Sequence, residues 1–129
     1  MAERSMPAPV PNPETEAYWQ AARAHRLLIK HCNACGENHF YPRAFCPFCF
    51  SDQTVWRDSK GQGTIYSYTI ARRAPTPYAL AYVALDEGVT MMTNIVGCDL
   101  DSIRIGQRVS VTFQPTEDGP PVPVFTPVR

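Results

Sequence analysis

The second half of the chain alternates between hydrophobic and polar residues in short runs, a pattern typical of half-buried β-strands. In residues 64–71 (TIYSYTIA), this alternation predicts that Tyr66, Tyr68 and Ile70 share one face of a strand. Residues 99–103 predict a single helical turn. The five predicted strands are 64–71, 79–85, 89–96, 107–113 and 122–125. Five short strands, with a helical turn between the third and the fourth, are the element order of an OB-fold barrel.

The first residues of the chain are irregular, and a helix follows them. Residues 1–11 hold three closely spaced prolines and predict an unstructured arm. Residues 14–24 predict a helix, because Asn12 can cap it and Pro13 suits its first position.

Two large aromatic residues, Tyr18 and Trp19, stand side by side in the predicted helix. Side chains of this size need an apolar surface on which to lie. One interpretation is that they dock onto the chain's own core. The other is that they pack against another chain, which makes them the candidate partner-interface residues.

Four cysteines form the strongest chemical pattern in the sequence. Ten residues separate the pair Cys32 and Cys35 from the pair Cys46 and Cys49, and each C-x-x-C turn can aim two thiolates at one point. Together they predict a tetrahedral four-thiolate site, with Zn²⁺ as the expected ion and iron as the alternative. Four protein ligands leave no position for water or substrate, so we expect a structural rather than a catalytic site. Redox exchange, the other role of C-x-x-C turns, normally uses one such motif in a βαβ setting.

Short hydrophobic runs on both sides of the cysteines predict a small zinc ribbon. These runs, 27–30 (LLIK) and 54–57 (TVWR), favour two strands. Gly36 follows the first cysteine pair, where a tight turn favours positive φ, whereas Phe50 follows the second pair. The predicted protein is mainly β and has three regions: an N-terminal arm and helix (1–29), a zinc ribbon (30–57) and an OB-fold (58–129).

The charge balance limits the classes of partner. Twelve Lys and Arg residues balance twelve Asp and Glu residues. Nucleic acids and anionic membranes attract basic surfaces, so both are disfavoured as partners. The longest apolar run, 79–85, is far shorter than the ~20 residues of a membrane-spanning helix, and the N-terminus lacks the apolar stretch of a signal peptide. We therefore expect a cytoplasmic protein, in which thiols stay reduced.

No catalytic motif stands out in the sequence. It contains no G-x-S-x-G, H-E-x-x-H, G-x-G-x-x-G or Walker pattern, and we predict no catalytic residue. His39 could act as a base, but a histidine beside a metal turn more often supports the loop by hydrogen bonding. The fifth cysteine, Cys98, is predicted to be a small, partly buried hydrophobe. A binding or scaffolding role is favoured.

The best ligand candidates lie in and beside the loop at 72–78. Aromatic rings can stack on a nucleotide base, and arginines can pair with phosphates. The alternative is that the tyrosines form barrel wall and the arginines a solvated loop. The candidates are Tyr66, Tyr68, Arg72, Arg73 and Tyr78.

Taken in order, several segments resemble the acyl-CoA-associated zinc-ribbon and OB-fold family catalogued as domain of unknown function 35. The segments are PETEAYWQAA, LLIKHCNACGENHFYPRAFCPFC, SKGQGTIYSYT, LAYVALDEGVTMMTNIVG, IGQRVSVTF and PVFTP. The resemblance covers nearly the whole chain. It implies a rubredoxin-like zinc ribbon followed by an OB-fold, with one zinc ion on Cys32, Cys35, Cys46 and Cys49.

The resemblance also implies a function. Such a chain is expected to be a small accessory subunit of a hetero-oligomer, beside a thiolase-like partner that carries the catalytic residues. The reactions implied are thiolysis, retro-aldol cleavage or acyl transfer on acyl-CoA thioesters. The chain would stabilise the partner and could help to bind coenzyme A (CoA), for which the five ligand candidates above are the expected residues.

Two positions depart from the family pattern. Where the family often has glycine before the arginine that precedes the first ribbon strand, this chain has His25, and Phe50 replaces a glycine after the second cysteine pair. Both departures affect which partner and which substrate the resemblance implies, and neither affects the fold that it implies. The alternative function is a zinc-ribbon and OB-fold module that binds nucleic acid, which the neutral charge argues against.

Overall fold

The computed structural model describes residues 6–128, in which short strands predominate. In this range the helix is α1 (Glu16–Arg23), and a 3-10 turn covers Leu100–Ser102. The strands are β1 (Leu28–Cys32), β2 (Asn38–His39), β3 (Thr54–Asp58), β4 (Gln62–Ala71), β5 (Tyr78–Leu85), β6 (Thr90–Ile95), β7 (Arg108–Thr116) and β8 (Gly119–Pro127).

The last five strands close into a barrel in the order β4-β5-β6-β8-β7. Neighbouring strands are antiparallel, except that β6 and β8 are parallel. The 3-10 turn lies between the third and the fourth strand of the barrel, as the sequence predicts. The predicted fold class, a mainly β protein with an OB-fold barrel, is therefore confirmed.

Strand β4 does not keep the single face predicted for it. The pairing register with β5 shifts between Ile65 and Ser67, so Tyr66 is an extra residue in a β-bulge. Tyr66 is 69% exposed, whereas Tyr68 and Ile70 pack against the core. The prediction that the three share a face is wrong, because a one-residue shift in register reverses the side-chain alternation.

Helix α1 begins later than predicted. The side-chain oxygen of Asn12 accepts hydrogen bonds from the backbone N–H of Thr15 (3.0 Å) and from its hydroxyl (3.1 Å). Asn12 therefore stabilises a turn before the helix instead of capping it, and the helix starts at Glu16.

The helix ends in a Schellman motif with His25 in the left-handed conformation (φ 59°). The N–H of Arg26 donates to the carbonyl of Ala21 (2.9 Å), and the N–H of His25 donates to that of Ala22 (2.9 Å). Glycine adopts this conformation more readily than other residues, so the backbone accounts for the glycine of the family pattern, from which His25 departs.

The zinc ribbon is a three-stranded antiparallel sheet in the order β2-β1-β3. The two predicted strands correspond to β1 and β3, and the two-residue strand β2 is an addition. At the end of the ribbon, the N–H of Ser59 donates to the carbonyl of Leu27 (2.8 Å), and the chain then enters the barrel.

One hydrophobic core joins the helix, the ribbon and the barrel. Tyr18 of α1, Ile29 of β1, and Ile65 and Phe125 of the barrel belong to a single buried cluster. The predicted division into 1–29, 30–57 and 58–129 stays a prediction.

The N-terminal arm has no regular secondary structure in its described part, residues 6–11, but it is docked. The N–H of Glu117 donates to the carbonyl of Met6 (3.0 Å). A Cβ atom at Gly119 would lie 2.4 Å from the Cβ of Ala8, so the β7–β8 turn needs glycine to admit the arm. Residues 1–5 of the predicted arm lie outside the described residues.

Candidate metal centre and binding surfaces

The four cysteines lie on two turns with the same backbone hydrogen bond. In the first turn, the N–H of Gly36 donates to the carbonyl of Cys32 (2.8 Å), and in the second the N–H of Phe50 donates to that of Cys46 (2.9 Å). Gly36 (φ 79°) and Phe50 (φ 64°) both adopt the left-handed conformation. The second turn therefore carries the backbone strain of a non-glycine residue.

The four sulfur atoms have the spacing of a tetrahedral metal site. The Sγ atoms of Cys32 and Cys49 are 3.6 Å apart, and those of Cys35 and Cys46 are 3.7 Å apart. All four lie within 4.8 Å of one another. Zinc–sulfur bonds of about 2.3 Å in a tetrahedron require sulfur–sulfur distances of about 3.8 Å, so the residues fit Zn²⁺. Four thiolates complete such a site, which supports a structural zinc ion.

A backbone N–H group favours the thiolate form of one cysteine of this site, Cys32. The N–H of Cys35 is the main cause that lowers the pKa of Cys32 to about 7. The N–H of Phe48 donates to the Sγ of Cys46 (3.4 Å). Burial and the neighbouring thiols raise the pKa of Cys35 and Cys49 despite backbone N–H groups beside them, so Cys32 is the cysteine prepared for the metal in this way, since the thiolate is the form that binds.

His39 is buried on β2 opposite Lys30, and neither of its ring nitrogens makes a close hydrogen bond within residues 6–128. Burial lowers the pKa of His39, which favours the neutral ring. The backbone of Arg43, in the loop between the cysteine pairs, lies near enough to raise the pKa of the ring, so the support of this loop by His39 stays a prediction. Lys30 lies 4.3 Å from the centre of the Trp56 ring, so its charge is held by a cation–π contact.

The second cysteine turn exposes three phenylalanines that the sequence analysis did not single out as a group. They are Phe45, Phe48 and Phe50, and Phe50 is 79% exposed. An apolar residue where the turn favours glycine was the one feature of the sequence that could have indicated this surface.

The five ligand candidates do not come together as one site. Tyr66 lies in the bulge of β4, six residues and therefore about 20 Å along the chain from Arg72, the first arginine of the loop. Arg72 is paired with Asp101 (2.8 Å), and Arg73 is exposed in the same loop. Tyr78 lines a cavity at the end of the barrel, and Tyr68 packs against the core.

Tyr18 and Trp19 are buried inside the chain, at 2% and 9% exposure. Their burial corresponds to docking on the chain's own core, one of the two interpretations of this pair. The indole N–H of Trp19 donates to the hydroxyl of Tyr41 (3.2 Å), and the ring of Tyr18 packs edge-on to that of Tyr41. In the isolated chain, Tyr18 and Trp19 therefore expose almost no surface that a partner could contact. Both contact Tyr41, which is exposed. A role for the pair in binding a partner stays a prediction.

The barrel has one face without charge. The segments 62–71, 78–85 and 90–95, which form β4, β5 and β6, contain no Asp, Glu, Lys or Arg. These strands are neighbours in the barrel. The large hydrophobic side chains that they expose are Tyr66, Leu80, Tyr82 and Met92, which we call the barrel patch. Within residues 6–128, no helix has the length and apolar character needed to cross a membrane.

Comparisons with known proteins agree with this two-module architecture. Residues 19–55 match the family model described as "ChsH2, rubredoxin-like zinc ribbon domain", and residues 56–114 match "ChsH2, C-terminal OB-fold domain". The chain is 34% identical over 110 residues to a "DUF35 domain-containing scaffold protein" of Methanothermobacter thermautotrophicus, which covers 78% of this chain and 82% of that protein.

Two further relatives carry enzyme names. The chain is 34% identical over 126 residues to a "Probable enoyl-CoA hydratase alpha subunit" of Thermomonospora curvata, covering 94% of this chain but only 40% of that protein. The chain therefore spans less than half of that relative. A solved structure described as "Ltp2-ChsH2(DUF35) aldolase" superimposes with a TM-score of 0.83 at 34% identity, covering 92% of this chain and 98% of that one.

The fold and the four-cysteine centre define a zinc-ribbon and OB-fold protein. The chain belongs to the DUF35 family, as the resemblance implied.

Proposed function

We propose that this chain is a cytoplasmic accessory subunit of a thiolase-like enzyme that acts on acyl-CoA thioesters by thiolysis, retro-aldol cleavage or acyl transfer. The partner supplies the catalytic groups. The chain stabilises the partner in a hetero-oligomer and contributes to the binding of CoA.

The barrel patch is the observation that carries this proposal. Tyr82 and Met92 are directly opposite each other on β5 and β6, so their side chains lie on the same outer face. The centres of protein interfaces are depleted in charged residues and enriched in tyrosine and methionine. An uncharged face of three strands with four exposed large side chains therefore fits a protein partner.

The names of the relatives support the same assignment. One is called the alpha subunit of a probable hydratase, another a scaffold protein, and a third is an aldolase described with two named components. Subunit and scaffold roles both require a partner.

The same face argues against the nucleic-acid alternative. Binding of nucleic acid relies on Lys and Arg that neutralise phosphates, and β4, β5 and β6 contain neither. OB-folds that bind single-stranded nucleic acid combine aromatic side chains, on which bases stack, with a positively charged groove that follows the phosphates.

The CoA contribution centres on the loop before β5. Arg72 and Arg73 are the cations of this loop, and Tyr78 follows them at the edge of a cavity. Guanidinium groups form strong hydrogen bonds with phosphates, so these arginines would hold the charged end of CoA. Arg72 would keep its exposed ion pair with Asp101, which uses the Nη2 group, and would offer its other N–H groups to a phosphate.

Native mass spectrometry of the zinc-loaded chain mixed with a thiolase-like chain from the same source would test the proposal. The unmodified chain is expected to form a complex that retains one zinc per copy. Tyr82→Glu places a charge at the centre of the barrel patch and is expected to abolish the complex without loss of zinc.

Val10→Glu is the matched control, because Val10 is 90% exposed and lies in the N-terminal arm, away from these strands. It should leave the complex intact. If Tyr82→Glu assembles as well as the unmodified chain, the barrel patch is not the interface. If Phe48→Glu abolishes assembly instead, the interface is the exposed aromatic surface of the ribbon.

A further inference from the structure

A cavity of about 400 Å³ opens at one end of the barrel. Its wall comes from four places: the loop before β5, the end of β6 with the 3-10 turn that follows, the end of β7, and one residue of β8. Small-molecule sites in proteins typically measure 300–1,000 Å³, so the volume suits a ligand of modest size.

The cavity lies at the weakest seam of the barrel. Strands β6 and β8 pair at only one position, Ile95 with Phe125, whereas β4 and β7 pair at three. Just past that position, the N–H of Val96 donates to the carbonyl of Phe125 (2.8 Å), and β6 then turns away at Gly97. Beside this short seam, the buried residues Ile95 and Val124 line the cavity.

The wall of this cavity is uncharged. Among residues 6–128, no Asp, Glu, Lys, Arg or His contributes to it. Ile95, Leu100 and Phe113 provide apolar surface, and Thr76, Tyr78 and Thr112 bring hydroxyl groups. Cys98 also lines the cavity, and burial raises the pKa of its thiol, so this residue is neutral too. The wall offers no ionic partner to a carboxylate, so it favours an uncharged ligand over a charged one.

Two contacts hold the wall in shape. The ring of His25 stacks on that of Phe113, with 5.3 Å between ring centres and 15° between planes. The ion pair of Arg72 with Asp101 ties the loop before β5 to the 3-10 turn. The cavity is thus framed by the helix end, a loop and a turn.

We propose that this cavity binds the uncharged acyl group of a thioester and excludes the corresponding free carboxylate. The inference rests on the proposed function, because it assigns the acyl end of the CoA thioester to this chain. The pantetheine arm would span the distance from the cavity to the loop arginines that hold the phosphates. The apolar wall takes the hydrocarbon chain, and the hydroxyl groups of Thr76 and Thr112 donate to the thioester carbonyl. The thiol of Cys98 is part of the wall and takes no part in covalent chemistry.

The test is a titration of the isotope-labelled, zinc-loaded full chain, followed by ¹H–¹⁵N NMR. The probe is S-hexanoyl-N-acetylcysteamine, a neutral thioester without the nucleotide. We expect saturable shifts at Gly97, Cys98 and Thr112. Shortening the probe to S-butanoyl-N-acetylcysteamine should weaken binding about 15-fold, or about fourfold for each methylene removed from water. Hexanoate should cause no saturable shift.

Variants at the cavity separate volume from thiol chemistry. Cys98→Ala keeps the space and should bind the probe like the unmodified chain, whereas Cys98→Phe fills the cavity and should weaken binding at least tenfold. Thr112→Phe narrows the cavity from an exposed position on another strand, which guards against a folding defect in Cys98→Phe. Equal binding of hexanoate and the thioester, or unchanged binding by both phenylalanine variants, would overturn the proposal.

The outcome is independent of partner assembly. Suppose that the complex forms, that Tyr82→Glu abolishes it, and that the probe does not bind. This result would refute the acyl cavity and would leave the accessory-subunit function supported. Probe binding without complex formation would support the acyl cavity and refute the accessory-subunit function.

Discussion

The ribbon and the barrel are both small antiparallel structures, yet different interactions hold them together. In the barrel every strand has two hydrogen-bonded neighbours, and side chains such as Val83, Val109 and Phe125 fill the interior. The ribbon has three strands, one of them only two residues long, and its buried residues include two of the four cysteines, Cys32 and Cys46. A metal ion therefore does in the ribbon what close packing does in the barrel. The comparison shows why four cysteines are concentrated within 18 residues while the barrel needs none of them.

Removing the metal should have the largest effect and should separate the two regions. A structural zinc site contributes on the order of 10 kcal/mol or more to folding. Cys46→Ser should lose the zinc and disorder residues 30–57, while amides of the barrel strands stay protected. Zinc analysis and hydrogen exchange measure the two effects. Cys98→Ser should keep the zinc, because Cys98 lies outside the four-sulfur cluster. A well-folded, metal-free Cys46→Ser protein would show that packing alone holds the ribbon.

Removing a large buried side chain from the barrel should have the next largest effect. Phe125 is fully buried on β8 at the seam with β6, and Phe125→Ala should lower the free energy of unfolding by about 3–5 kcal/mol. Urea denaturation measures the loss. Phe45→Ala, on the exposed surface of the ribbon, should change it by no more than about 0.5 kcal/mol. Equal effects of the two substitutions would contradict the view that buried packing carries the barrel.

The two cysteine turns allow a finer comparison within the ribbon. Gly36→Ala puts a side chain into the left-handed conformation and should cost about 1–2 kcal/mol, although a Cβ there meets no neighbouring atom. Phe50→Gly removes the same strain and should leave the stability unchanged or raise it, since the Phe50 side chain is exposed. Urea denaturation at fixed zinc concentration compares them. A loss of stability in Phe50→Gly as large as that in Gly36→Ala would show that the phenylalanine ring stabilises its own turn.

The smallest effect is expected where the helix meets the ribbon. Arg26 and Asp58 form an exposed ion pair with an N–O distance of 2.7 Å, and this pair holds the pKa of Asp58 below its usual value. Arg26→Gln should cause a small loss of stability that disappears in about 1 M salt, where charges are screened beyond about 3 Å. Thermal unfolding in low and high salt measures it. A loss that persists in high salt would mean that Arg26 acts through packing.

The two departures from the family pattern also differ in a way that only the structure reveals. His25 and Phe50 both occupy left-handed positions that favour glycine. Both residues are exposed, but the ring of His25 stacks on that of Phe113, whereas Phe50 is 79% exposed on the surface of its turn. The sequence identified both positions as unusual, but it could not show which of the two side chains contacts another part of the chain.

The sequence by itself determined the strands of the barrel, the metal centre and the family. Alternation of polar and apolar residues is local, and two C-x-x-C turns bring their own geometry, so both can be read from neighbouring residues. The tertiary structure decided what depends on register and closure. The bulge at Tyr66 reversed a predicted face, and the shared core buried Tyr18 and Trp19. Barrel closure also brought three uncharged strands side by side and placed Tyr78, Ile95 and Phe113 around one cavity. These residues are far apart in the chain, and the pairing that joins them depends on the whole barrel rather than on any local pattern.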